Sequence, residues 1–279
     1  MFKQSLPFFN DDHLHAAGES DLSPGLKASH VPLINTAGSL GFAPNPRGPL
    51  NLARFSAFVT HPISRHARRP AETRTLLPFP GGFLLHSGFP NPGFRAVLKR
   101  FAAAWAAAPL PVVAHLIPEN EDEMAWMTGH LEGLDNIAAI ELGLRDDSSP
   151  HEGLSLIRAG LGELPLIVCL PPGRAAELGP LLAQSGAAAF SLAPPRGCLP
   201  GPDDRLVRGR LYGPALLPQA LEAVSTLARL GLPVIGSGGV YGPADIQAMR
   251  HAGAQAVALD AALWKNFDVP FWGADQAFP

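Results

Sequence analysis

Leu232-Pro-Val-Ile-Gly-Ser-Gly-Gly239, then Pro243 to Ala252, Gly253 and Ala256 to Leu259, is the stretch that decides the fold. Leu232 to Gly236 reads as a buried strand and Ser237-Gly-Gly239 as a tight turn. Pro243 to Ala252 reads as a helix, with proline near its start and glycine just past its end. Ala256 to Leu259 is then the final strand. Strand, helix and strand in quick succession are the alternation expected of a parallel sheet with crossover helices.

The same alternation runs upstream. Pro111 to Ala114 precedes a Glu121 to Leu131 helix, Ile137 to Leu142 a Leu154 to Gly160 helix, and Leu166 to Leu170 an Ala175 to Gln184 helix. Ala188 to Leu192 follows, and a Leu216 to Leu230 helix feeds the last pair of strands. That makes six or seven β/α units, with Pro32 to Asn35 and Ala57 to Thr60 supplying the first strands. Residues 62 to 93, rich in Pro, Arg and Gly, read as one long connection, of the kind that builds the functional face of a barrel. The expectation is a single-domain α/β protein, a (β/α)8 TIM barrel over residues 31–266. Residues 1–30 form an N-terminal extension and 267–279 a C-terminal tail.

Composition agrees. The 279 residues suit one α/β barrel, a fold of roughly 250 residues. With 47% hydrophobic and only 16% charged residues, much of the chain must be buried in its core or against partner subunits, so a homo-oligomer or a subunit of a larger assembly is expected. A net charge of −3 and one short basic cluster, Arg65, His66, Arg68 and Arg69, give no nucleic-acid footprint, and the cluster reads as a solvated loop. Cys169 and Cys198 are too few and too far apart for a disulfide framework or a zinc site, which fits a reducing compartment. Met1 to Gly25 lacks the pattern of a secretory signal, and no uninterrupted apolar run reaches the roughly 18 residues of a membrane span. A cytoplasmic address is the simplest expectation. His86, His115 and His130 have no partner at metal-ligand spacing and read as surface or satisfied core residues.

Seven strings then occur in one order: Asn35-Thr-Ala-Gly-Ser-Leu-Gly41, Phe58-Val-Thr-His61, Gly88-Phe-Pro-Asn-Pro-Gly93, Val168-Cys-Leu-Pro-Pro172, Leu211-Tyr-Gly-Pro214, Gly236-Ser-Gly-Gly239 and Ala252-Gly-Ala254. Over about residues 30 to 265 the chain resembles the dihydroorotate dehydrogenases. The resemblance implies an FMN flavoprotein barrel that oxidises dihydroorotate to orotate in pyrimidine biosynthesis. It places Ala37 and Gly38 near the flavin ring, Cys169 against its N1 edge, Gly213, Gly238 and Gly239 in its surroundings, and Asp260 and Ala261 around its phosphate. Leu85, Gly88 and Asn91 fall at substrate-binding positions, and Asp146 and His61 at catalytic ones. No metal is implied.

At several of these positions the chemistry differs from the family's. His61 stands where the family has a lysine that contacts flavin and substrate, and a mostly uncharged imidazole does not reproduce a fixed cation. Cys169 replaces a second lysine, and a buried thiol cannot stabilise an anionic reduced flavin. Leu85 replaces an orotate-binding asparagine. The family's Asn-x-Ser-Cys/Ser-Pro-Asn loop aligns with Gly143-Leu-Arg-Asp-Asp-Ser148, which puts Asp146 at the base position, and the later Asn-Thr/Ser falls near Ala193-Pro194. Arg210 and Tyr212 replace a glycine and a serine. Asp260 puts a carboxylate beside the phosphate, and two like charges about 4 Å apart cost on the order of 4 kcal/mol. An Arg210–Asp260 pair could offset it. Three readings stay open: a catalytically degenerate barrel serving as subunit or scaffold, its site plugged by Leu85, Tyr212 and that pair; an FMN oxidoreductase of another substrate, with His61 and Asp146 as acid and base; and dihydroorotate oxidation itself.

Overall fold

The computed structural model describes residues 6–9, 31–71 and 75–264, so the expected tail at 267–279 and most of the expected extension at 1–30 lie outside the described residues. In chain order the elements are β1 (Leu33–Asn35), β2 (Phe58–Val59), β3 (Thr75–Phe79), β4 (Gly82–His86), α1 (Phe94–Ala106), β5 (Val112–Leu116), α2 (Glu121–Leu131) and β6 (Ile137–Gly143). There follow α3 (Pro150–Gly160), β7 (Leu166–Leu170), α4 (Ala175–Leu182), β8 (Ala189–Leu192), β9 (Arg196–Pro200), β10 (Leu206–Tyr212), α5 (Leu217–Ala228), β11 (Val234–Ser237), α6 (Pro243–His251) and β12 (Ala256–Leu259).

Every residue of β5, β7, β8, β11 and β12 is buried, as in strands covered on both faces. Eight strands pair in parallel in the order β1-β12-β11-β8-β7-β6-β5-β2, and a parallel bridge from Ile34 to Ala57 joins the two ends. The expected eight-stranded α/β barrel is therefore observed. Its six described α-helices lie at the low end of the expected count of units, because the β1–β2 connection carries only a 3-10 turn, Leu52–Arg54.

Strand periodicity sorts the core into two layers. Ile34, Val59, Val113, Ala139, Ile167, Ala189, Ile235 and Ala256 form the barrel interior, and Leu6 and Phe8 from the Pro7–Phe9 turn pack into the same layer. Of the expected N-terminal extension, residues 6–9 are thus integral to the core. The intervening residues, such as Val112, Ala114, Ile140, Val168, Phe190 and Val234, join the apolar faces of the helices.

The connections differ from the sequence reading in substance. Residues 62–93 contain β3 and β4, and the segment before α5 contains β9 and β10; the four form a second, antiparallel sheet in the order β3-β4-β10-β9. Pro78 within β3 and the Gly81-Gly82 turn disguise that hairpin as loop sequence. Helix α1 is likewise additional, and α3 begins at Pro150 rather than Leu154, with Ser149 accepting the Glu152 N–H as its cap. No helix of the described residues is long and apolar enough to cross a membrane.

Candidate functional site

Two residues beyond the inward-facing Val113, Ala139, Ile167, Ala189 and Ile235 stand His115, Glu141, Cys169, Ser191 and Ser237. The period of two points all five inward, at the carboxyl ends of the strands where barrels build their sites. They line a cavity of about 490 Å³, within the usual range for small-molecule pockets. Glu141 is its organising residue. Its Oε2 lies 2.5 Å from His115 Nδ1, and its Oε1 accepts the Ser191 hydroxyl at 2.5 Å. The His115 backbone N–H donates to Thr60 Oγ1 at 3.0 Å, and both members of the acid–imidazole pair are buried. Burying such a pair is costly unless its bonds are satisfied, so packing alone does not account for it.

None of this trio was singled out as functional from sequence, and His115 was expected to be a plain surface or core residue. The signal was present as parity: in Val-Val-Ala-His-Leu, Ile-Ala-Ala-Ile-Glu-Leu and Ala-Phe-Ser-Leu one polar residue interrupts an apolar strand on the inner face.

The rim is cationic. Arg68, Arg145, Arg196 and Arg210 all line the cavity, with Glu119 as the acid among them. Arg145 is paired with Glu152, and Arg196 Nε lies 2.7 Å from Asp146 Oδ2, outside hydrogen-bond angle. Arg210 donates to the Pro194 carbonyl at 2.9 Å and lies over the Phe89 ring at 4.8 Å. The cluster at residues 65–69 is largely exposed, as a solvated loop is, but Arg65 stacks on Trp126, and Arg68, bridged to Asn91 through the backbone, lines the edge of the cavity.

The residues expected from the family pattern are dispersed. Ala37 and Cys169 line the cavity, and burial first, then the Glu141 charge, pushes the Cys169 thiol far up, so it stays protonated. Gly38 lies beside His61, which packs on Phe42 with ring centroids 5.0 Å apart. Burial, then His115, lowers the His61 pKa, and its Nε2 has no hydrogen-bond partner. Neither His61 nor Asp146 lines the cavity, and Asp146 is held by Arg196. Leu85 faces Leu76 and Arg210 across the antiparallel sheet and plugs nothing. Gly88 approaches the Ala71 backbone. Asn91 accepts from Ser64 Oγ and the Gly93 N–H and donates to the Phe89 carbonyl, so its amide is committed to the loop.

At the far end the expected Arg210–Asp260 pair is not formed. Asp260 is buried at the start of the Ala261–Trp264 turn, beside the backbone N–H groups of Ala261 and Ala262, and its Oδ1 has no hydrogen-bond partner. Burial raises its pKa to about 6. Tyr212 is buried and stacks on Phe83, with ring centroids 5.4 Å apart. Gly213 crosses the Gly81-Gly82 backbone. A Cβ on Gly239 would meet the Leu217 nitrogen at 2.4 Å, which gives that glycine a packing reason. The cavity reaches Ser237 and Tyr212 but is not lined by Gly238, Gly239, Asp260 or Ala261. These residues do not fit a phosphate dianion: a buried carboxylate stands at that end, and an added anion would face it.

No protein-family model matches the chain. Curated relatives do. The catalytic subunit of dihydroorotate dehydrogenase B (NAD(+)) from Desulforudis audaxviator is 28% identical over 258 residues, covering 84% of this chain and 83% of that protein. The same subunit from Latilactobacillus sakei is 28% identical over 273 residues, covering 89% and 87%. Over most of its length the chain is thus similar to dihydroorotate dehydrogenases at 25–28% identity. It also shares its fold with a dihydroorotate dehydrogenase from Eimeria tenella solved with ferulenol, at TM-score 0.58 and 16% identity over 82% of this chain and 75% of that one.

Proposed function

We propose that this dihydroorotate dehydrogenase-like barrel has lost flavin-dependent oxidation and serves as a subunit or scaffold. The observation that carries the reading is Asp260, a buried carboxylate at the position where the family resemblance puts the cofactor phosphate. The loss of both family lysines, at His61 and Cys169, supports it. Exposed Leu76 and Leu206 on the antiparallel sheet supply apolar surface for assembly, as a homo-oligomer or with a partner. A second reading, an FMN-dependent oxidoreductase of dihydroorotate or another small substrate, is favoured by the open cavity and by Ala37 and Gly38.

The visible spectrum of the purified protein decides between them. A protein that stays colourless after exposure to excess FMN and desalting supports the loss. Bound flavin that dihydroorotate bleaches under anaerobic conditions overturns it. Asp260→Gly with Ala261→Thr should raise FMN affinity tenfold or more, and no gain in a fluorescence titration would show that Asp260 is not the barrier.

A further inference from the structure

Loss of the phosphate cradle leaves the barrel mouth unexplained, because its floor is built rather than vacated. Gly143 stands where the family pattern has asparagine, and a Cβ there would lie 2.5 Å from His115 Nε2. The imidazole therefore occupies room that a side chain at 143 would take. With Nδ1 turned to Glu141, Nε2 is the ring nitrogen on the Gly143 side, and both residues line the cavity. The Ser191 hydroxyl on the other carboxylate oxygen fixes Glu141 in turn. A carboxylate holding one imidazole nitrogen sets the tautomer and leaves the other nitrogen to exchange a proton with a ligand. Nothing in the flavin reaction assigns such a role to these three residues.

The ligand class follows from the walls. Arg68 and Arg210 call for an anionic group, and neither has a carboxylate partner among the described residues. Arg210 is near enough to the cavity floor for its charge to act on the Cys169 thiol. Phe89 and Tyr212 add aromatic surface. An imidazole takes a proton from carbon only where a neighbouring carbonyl acidifies it. A small 2-oxo acid combines that C–H with the anion the arginines need.

We propose that the barrel mouth is a flavin-independent proton-transfer site for small 2-oxo acids, in which His115 is the acid–base residue, Glu141 and Ser191 position it, and Arg68 and Arg210 hold the carboxylate. His115 Nε2 takes a proton from the carbon next to the carbonyl, the C–H electron pair becomes the enolate, and the imidazolium, held by Glu141, returns a proton to the enolate oxygen or carbon. The net change is keto–enol exchange. No electrons leave the ligand, so no co-reactant is needed.

Phenylpyruvate is the probe. In D2O, with flavin-free protein, proton NMR follows exchange of its methylene protons against a buffer blank. We expect at least a tenfold enhancement, lost in His115→Gln. Arg210→Met should raise KM more than it lowers kcat. Glu141→Gln should slow exchange and also shift the His115 Nδ1 signal in spectra of 15N-histidine-labelled protein, a readout independent of turnover. No enhancement over buffer, or equal rates in the wild type and a folded His115→Gln variant, would overturn the proposal; so would a wild-type His115 signal that phenylpyruvate does not move. The outcome is separable from the loss of oxidation: a yellow, dihydroorotate-bleached protein sinks that reading whatever phenylpyruvate does.

Discussion

Asp260 carries a measurable signature of its burial. Its carboxyl titrates at about 6 in the folded protein against roughly 4 when unfolded, so the folded state holds the proton more tightly. The stabilisation this provides is fully present below the unfolded value and is lost as pH rises through 6. Between pH 4 and pH 7 the loss is on the order of 3 kcal/mol. Asp260→Asn should therefore be the more stable protein at pH 7 and should show less loss of stability across that range in urea denaturation. Equal pH profiles for the two proteins would mean the carboxylate reaches solvent. The residue was legible as an anion at the position the family resemblance gives the phosphate. Its burial with an unpartnered Oδ1 was not, because that depends on how the surrounding turn packs.

Elements show how a family pattern can survive for another reason. Gly238-Gly239 after β11 reads as a phosphate turn, yet Gly239 has a φ of +75° and meets the first residue of α5. Gly239→Ala should destabilise the flavin-free protein by about 2 to 4 kcal/mol, combining the left-handed backbone with the overlap. A thermal shift within error of wild type would refute the packing role. The barrel strands were legible to within a residue or two because their runs are apolar, short and bounded by Pro or Gly. β3, β4, β9 and β10 were not, since exposed antiparallel strands with Pro78 and Pro200 resemble loops until a partner strand is in place.

Across the whole molecule, the barrel interior is closed by residues distant in the chain. Ala57, Ala139, Ala189, Ala256 and Ala258 leave space in that layer, and Leu6 and Phe8 share it. Replacing both with alanine should cost about 5 kcal/mol, visible as a fall in Tm of roughly 10 °C or more. A negligible change would place the N-terminal turn outside the stable core.

The sequence by itself determined that the chain alternates strands and helices and closes as a parallel barrel, properties that follow from local periodicity and residue type. The expected departures at His61, Cys169, Leu85 and Asp260 rested on the family resemblance alone. Only the tertiary structure decided that His115, Glu141 and Ser191 meet, that Asn91 and Asp146 are spent on their own neighbours, and that Arg210 turns to Pro194 and not to Asp260. Contacts between strands far apart in sequence depend on register and on which face each side chain takes. A shift of one residue along any strand would turn the same residues away from the cavity.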